Sequence, residues 1–240
     1  MSLRIHIITP FPDMISAVIS TSILGRAEEK GIVTYQLWNL FEYADAPHNK
    51  IDDEPYGGGV GMILKPEPFF RAYDQIEKEM GDDTSLRVIF PTPDGKPFNQ
   101  DDASELAMAK QLVFICGHYK GIDQRVRDHM VTDEYSVGDF IVTGGELPAL
   151  LMLDGIVRLQ EGVLNDMESA VTDSFSSILL DGPHYTRPRE YQGWHVPDIL
   201  LSGNHGEIAS WRLEKRQEQT RTRRPDLWEH YMTTNQQVLE

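Results

Sequence analysis

The chain has 240 residues, 40% hydrophobic and 25% charged, the composition of a globular protein long enough to bury a core without a disulfide or metal. A single cysteine, Cys116, excludes an intrachain disulfide and suits a reducing compartment. Lys and Arg number 22 against 38 Asp and Glu, formally −16, which taken whole argues against a nucleic-acid or anionic-membrane partner held by bulk charge.

Residues 3–8 are a β-prone apolar run closed by Thr9 and Pro10, too short for a signal peptide. Apolar residues at near-helical spacing predict one helix over 14–29, ended by Gly31 as a C-cap. A strand is expected over 33–37, and an amphipathic helix over 66–80 with Pro66 in its first turn and Gly81 after its end. Strands over 86–90 and 111–116 flank a helix over 100–110. This alternation indicates an α/β sheet that is at least partly parallel. An apolar helix follows over 147–159. Residues 165–177, polar and without period, read as a flexible interdomain linker. Beyond them come loops with Pro, His, Arg and Trp, and a helix over 207–221. No stretch approaches the roughly 20 apolar residues of a membrane helix, so a cytoplasmic protein with no membrane partner is expected.

Three glycine-rich joints interrupt the pattern, at 57–62, 117–121 and 138–146. Each alone can be a tight turn. Two of them follow strands, where α/β sheets bind ligands, and Tyr119 and Phe140 beside them favour a flat aromatic ligand such as adenine. The familiar alternatives fail. No joint continues into Gly-Lys-Ser/Thr, and Gly57 and Gly59 lack the third glycine of a dinucleotide fingerprint, whose place Met62 holds. No nucleophile elbow or His-Glu-x-x-His occurs, and Cys116 with His118 lacks a second ligand pair, so no metal site is assigned. The charge is also unevenly spread. Residues 185–224 hold eight Lys and Arg against five Asp and Glu, a balance of +3, leaving −19 on the rest.

Cys116-Gly-His-Tyr-Lys-Gly-Ile-Asp-Gln-Arg-Val126, Ser136-Val-Gly-Asp-Phe-Ile-Val-Thr-Gly-Gly-Glu-Leu-Pro148 and Leu201-Ser-Gly-Asn-His205 closely resemble the bacterial tRNA (guanine-N1)-methyltransferase family TrmD. Asp53-Glu-Pro-Tyr-Gly-Gly-Gly-Val-Gly-Met62 and His184-Tyr-Thr-Arg-Pro188 match the same family, so the resemblance spans essentially the whole chain. It implies an S-adenosyl-L-methionine-dependent enzyme of the SPOUT class that methylates N1 of the guanine just 3′ of the anticodon. The implied fold is an α/β domain with a deep trefoil knot and a mostly parallel sheet over 1–164, the linker over 165–177, and a small, mainly helical tRNA-binding domain over 178–240. Active sites would be shared in a homodimer. Strand and helix patterning alone gives no sign of a knot.

Carried onto this sequence, the resemblance puts Phe90, Thr92 and Pro93 in the cofactor pocket, with Gly117, Tyr119 and Gly121 as its second loop. Val137, Gly138, Phe140, Val142, Gly144, Gly145 and Pro148 form the third. The implied catalytic pair is Asp173, as general base toward guanine N1, and Arg158, stabilising charge on O6. Without the resemblance Asp173 reads as a linker aspartate and Arg158 as a residue snorkelling from an apolar helix. Gly59, His184, Tyr185, Arg187, Ser202, Asn204, His205, Arg223 and Arg224 are the expected tRNA contacts, while Trp194 and Trp211 are expected in the small domain's core. Lys120 departs from the glutamate common in relatives, and Val60 from proline or alanine. Two other readings compete: an RNA-binding protein without turnover, and an acidic metabolic enzyme for a different adenine-containing ligand.

Overall fold

The computed structural model describes residues 2–80, 86–164, 173–175 and 177–237. Most of the expected linker, and Gly81, lie outside the described residues. The chain divides into two compact units, Met1–Asn165 and Asp166–Glu240.

The first unit is built on five strands, β1 (Leu3–Thr9), β2 (Val33–Asn39), β5 (Leu86–Pro97), β6 (Gln111–Ile115) and β7 (Asp133–Ser136), in the order β2-β1-β6-β5-β7. Every neighbouring pair is parallel. Parallel strands are covered on both faces, which is why β1 and β6 read as nearly unbroken apolar runs. Ile5, Ile7, Ile89, Leu112 and Phe114 face α1 (Pro12–Ile19), α2 (Ser22–Glu29), α4 (Gln100–Ala107) and α6 (Glu146–Val157). Ile8, Val88, Phe90, Val113 and Ile115 face α3 (Pro66–Met80) and α5 (Gln124–Met130). A short antiparallel pair, β3 (Asp52–Asp53) with β4 (Ile63–Leu64), closes the first glycine joint. Among the described residues no helix is long and apolar enough to cross a membrane.

The single helix expected over 14–29 is two. Ser20 and Thr21 turn their hydroxyls back onto the carbonyls of Ser16 and Val18, at 2.7 and 2.9 Å, and α1 stops there. Gly25 makes the return possible, since a Cβ on it would lie 2.6 Å from the Ser20 carbonyl oxygen. At the far end of α2 the Gly31 N–H donates to Glu28 and the Ile32 N–H to Ala27, a Schellman closure around a glycine at φ +68°. Strand β5 runs beyond the expected Phe90, through an irregularity between Pro91 and Lys96.

The second unit holds the helices His205–Arg223 and Pro225–Gln237 and a hairpin of β8 (Glu190–Tyr191) with β9 (Trp194–His195). Its described residues include only two buried ones, Leu179 and Thr220. The Leu180 N–H donates to the Thr220 hydroxyl at 2.9 Å, tying the loop to the long helix. Trp194 is not in a core: it is 70% exposed, and Tyr191, 61% exposed, lies beside it with ring centroids 6.3 Å apart. The reason is the turn. Gln192 and Gly193 both have positive φ, the geometry of a tight two-residue hairpin, and a ladder two pairs long has no sheet or helix to bury its aromatics. Trp211 is partly buried.

Candidate active site

Three segments enclose one cavity of about 420 Å³: the stretch of β5 that enters its irregularity, and the loops that leave the carboxyl ends of β6 and β7. All thirteen residues expected around a cofactor, from Phe90 to Pro148, line it.

At β5, the Phe90 ring lies under the Arg127 guanidinium, 5.5 Å from its centroid, and almost against Gly117, where a Cβ would come within 3.0 Å of it. Arg127 donates to Glu134 and to Asp94, which also accepts the Thr92 hydroxyl. The Thr92 hydroxyl, then Arg127, hold the Asp94 carboxyl below the usual carboxylate range, so this rim stays ionised and braced.

At β6, Tyr119 and Gly121 adopt left-handed φ values of 59° and 130°, turning the loop sharply back. The Tyr119 ring stands half in solvent at the mouth, edge-on to His118 at 5.0 Å. The His118 ring also meets Phe11 edge-on at 4.9 Å, and its Nδ1 is buried without a hydrogen-bond partner among the described residues. Burial, then the nearby Glu146 carboxylate, push the Cys116 thiol up, so the one cysteine is held as an inert thiol.

At β7, the Phe140 ring folds over Gly138, where a Cβ would lie 2.7 Å from it. The segment ends at Gly145, whose N–H donates to the Gly117 carbonyl at 2.8 Å. A Cβ on Gly145 would lie 2.9 Å from the Cys116 Cα. The first helical residue, Glu146, is buried, and its carboxylate accepts the Thr9 hydroxyl at 2.8 Å, binding the start of α6 to the end of β1. The glycines thus let two backbones meet and leave the cavity wall largely main chain.

The cavity is lined further by Pro91, His118, Lys120, Tyr135, Ser136, Ile141 and Thr143. Most of these alternate with expected residues inside the same motifs, so their signal was adjacency to them. No Asp or Glu is among the described residues that line it. No cluster of three or more metal-ligating side chains occurs among the described residues.

The remaining expected residues are dispersed. Arg158 is the C-cap of α6 and does not line the cavity, and Asp173 belongs to the second unit. Gly59, at φ +124°, lies in the exposed joint before β4. In the second unit His184 is exposed and its Nε2 meets Asp181 at 2.7 Å, while Tyr185 and Arg187 are exposed on the following loop. Ser202 accepts the Asn204 N–H, and Asn204 in turn caps the helix that begins at His205. Arg223 ends that helix. Arg224 is drawn into a two-point pair with Asp226, at 2.9 and 2.6 Å.

A doubly covered parallel sheet whose strand ends carry a glycine-lined cavity defines an enzyme domain for a nucleoside-type ligand. The family model of tRNA (Guanine-1)-methyltransferase TrmD matches residues 3–230. The chain is 51% identical over 234 residues to a tRNA (guanine-N(1)-)-methyltransferase of Brevibacillus brevis, covering 98% of this chain and 95% of that one. It is 48% identical over 235 residues to one from Bacillus subtilis and 50% over 235 residues to one from Listeria monocytogenes, covering 98% of this chain and 96% of each relative. The chain therefore belongs to the TrmD family of tRNA (guanine-1)-methyltransferases.

Proposed function

We propose that the protein transfers the methyl group of S-adenosylmethionine to N1 of the guanine just 3′ of the anticodon, with Asp173 as general base and Arg158 as the donor to O6. The observation that carries the reading is the convergence of three separate segments of a TrmD-family chain on one glycine-walled cavity. The cavity fits the cofactor chemically. A Cβ at Gly117, Gly138 or Gly145 would crowd its walls, His118 Nδ1 is a buried polar atom without a hydrogen-bond partner among the described residues, and Tyr119 and Phe140 supply aromatic faces for adenine.

Bound S-adenosylmethionine supplies a methyl group activated by its sulfonium. The residues must then make N1 nucleophilic, since neutral guanine carries a proton there. Asp173 takes that proton at its carboxylate, and the Arg158 guanidinium donates to O6 as negative charge grows on it. The cavity walls hold the donor in line and keep water from its methyl group.

The catalytic domain is assigned to 1–164 with a trefoil-knotted chain, the linker to 165–177 and tRNA binding to 178–240. Pairing of the Gly145 N–H with the Gly117 carbonyl, which brings the segment after β7 back onto the loop after β6, supports the knotted reading. The basic local balance over 185–224 and the exposed Tyr185, Tyr191 and Trp194 support RNA recognition by stacking and phosphate contact. For the homodimer, the support is an apolar surface. Helices α1 and α6, packed in one core, each leave an i,i+4 apolar pair at the surface, Met14 with Val18, which follow the exposed Phe11, and Leu147 with Leu151.

Methyl transfer to an unmodified tRNA transcript by wild type, Asp173→Ala and Arg158→Ala, singly and mixed, tests all of this together. Each variant alone should be inactive. If a site takes Asp173 from one subunit and Arg158 from the other, a one-to-one mixture regains about a quarter of wild-type sites by random pairing. Turnover by Asp173→Ala alone overturns the base assignment.

A further inference from the structure

Among the described residues that line the cavity, Lys120 is the one Lys or Arg. It lines the wall, and no carboxylate lines that wall among the described residues. Its ammonium makes no ion pair or hydrogen bond with the described residues. Its position is nonetheless tightly defined. The Lys120 N–H donates to the Met62 carbonyl at 3.1 Å, and the Leu64 N–H to the Gly121 carbonyl at 3.0 Å, so the first glycine joint is stitched to the loop that follows β6. Its aliphatic stem lies across Gly61, where a Cβ would come 2.7 Å from Lys120 Cγ and 3.4 Å from Cε. Gly61 itself has φ +104°. The joint that carries the expected tRNA contact Gly59 thereby acquires a second place: it is the bed on which the lysine lies.

The ligand has charge to match. S-adenosylmethionine carries two cations, the sulfonium and the α-ammonium, and one anion, the carboxylate of its amino-acid tail. A lysine in the wall repels the first two and attracts the third, so it selects the orientation in which the tail carboxylate meets it. We propose that Lys120, held on Gly61, is the carboxylate anchor for the amino-acid tail of the cofactor and so fixes which end of the cavity the tail occupies. This rests on the methyltransferase reading above and adds a specificity residue to it.

The test is calorimetric, on the full-length protein without tRNA, with three ligands: S-adenosylmethionine, S-adenosylhomocysteine, and 5′-methylthioadenosine, which lacks the amino-acid tail. Lys120→Met should weaken the first two by about three- to tenfold, the range of a partly exposed charge-assisted contact, and leave the third unchanged. Lys120→Arg should keep the preference for the tail-bearing ligands, and added salt should narrow it in wild type but not in Lys120→Met. Equal weakening of all three ligands would mean a structural role and overturns the proposal. Unchanged affinity for all three, with weaker tRNA binding and a salt slope shallower by about one, would give the lysine to an RNA phosphate and overturns it as well. Wild-type protein that binds none of the three would instead bring down the methyltransferase reading itself.

Discussion

Replacing Gly145 with alanine adds one methyl group where two backbones touch. The new Cβ would sit 2.9 Å from both the Cys116 Cα and the Gly117 N, against the 3.4–4 Å of ordinary contact. Both neighbours are main chain, so no rotamer change relieves the clash, and the start of α6 must move from the loop after β6 by roughly 0.5–1 Å. Gly145 has φ −77°, so close approach is the only reason for glycine here. Overpacking of this kind costs about 1–3 kcal/mol. Stretching the Gly145 N–H to Gly117 carbonyl bond adds about 1 kcal/mol. We expect the variant to lose about 2–4 kcal/mol in urea unfolding and to bind S-adenosylmethionine at least about tenfold more weakly, since 1.4 kcal/mol is a factor of ten. The matched control is Gly155→Ala in the same helix, where the nearest atom to a Cβ is 3.8 Å away. That change should be neutral or stabilising by up to about 1 kcal/mol. If the two variants unfold at the same urea concentration and bind cofactor alike, the close-approach reasoning is wrong.

Trp194→Ala should weaken tRNA binding by about 1–3 kcal/mol if a base stacks on the Tyr191–Trp194 pair, and leave S-adenosylmethionine affinity unchanged; unaltered tRNA affinity would remove the stacking role. His6, 4% exposed, accepts the Trp38 indole N–H at Nδ1, and burial, aided by Arg4 against opposing Glu79 and Gln111, lowers its pKa below 6.5. The unfolded chain therefore binds this proton first. The residue's contribution is whole above pH 6.5 and is lost as pH falls through the folded value, with a slope of at most about 1.4 kcal/mol per pH unit. In His6→Gln, where the amide oxygen can still accept from Trp38, urea titrations below pH 6.5 should show a shallower slope than wild type; an equal slope refutes the assignment.

Much of this molecule could be read before it was seen, for identifiable reasons. Buried parallel strands must be apolar on both faces, so β1 and β6 stood out as runs, and the glycine joints marked where they end. The break between α1 and α2 hid because the apolar spacing continues across it; the evidence was the Ser20-Thr21-Ser22 cluster with Gly25, whose hydroxyls and missing side chain act over one turn. Strand β5 outruns its expected end because Pro91, Pro93, Gly95 and Pro97 read as a loop, and only pairing with β7 reveals the irregular ladder. Helix α5 is seven residues with three charges and offers little periodicity beyond its Asp123 cap. Trp194 departs from the average preference for burial because its short hairpin has nothing behind it. The cavity residues were legible through family motifs; composition alone named none of them.

Strand β1 is made before the other strands of the sheet, yet it lies inside it, between β2 and β6. Its inner partner, beginning at Gln111, is roughly a hundred residues further along the chain. At translation rates of roughly 5–20 residues per second, that partner emerges about 5–20 s after β1. For that interval Leu3–Thr9 can pair with β2 alone, and its other edge offers unpaired N–H and C=O groups beside an apolar surface.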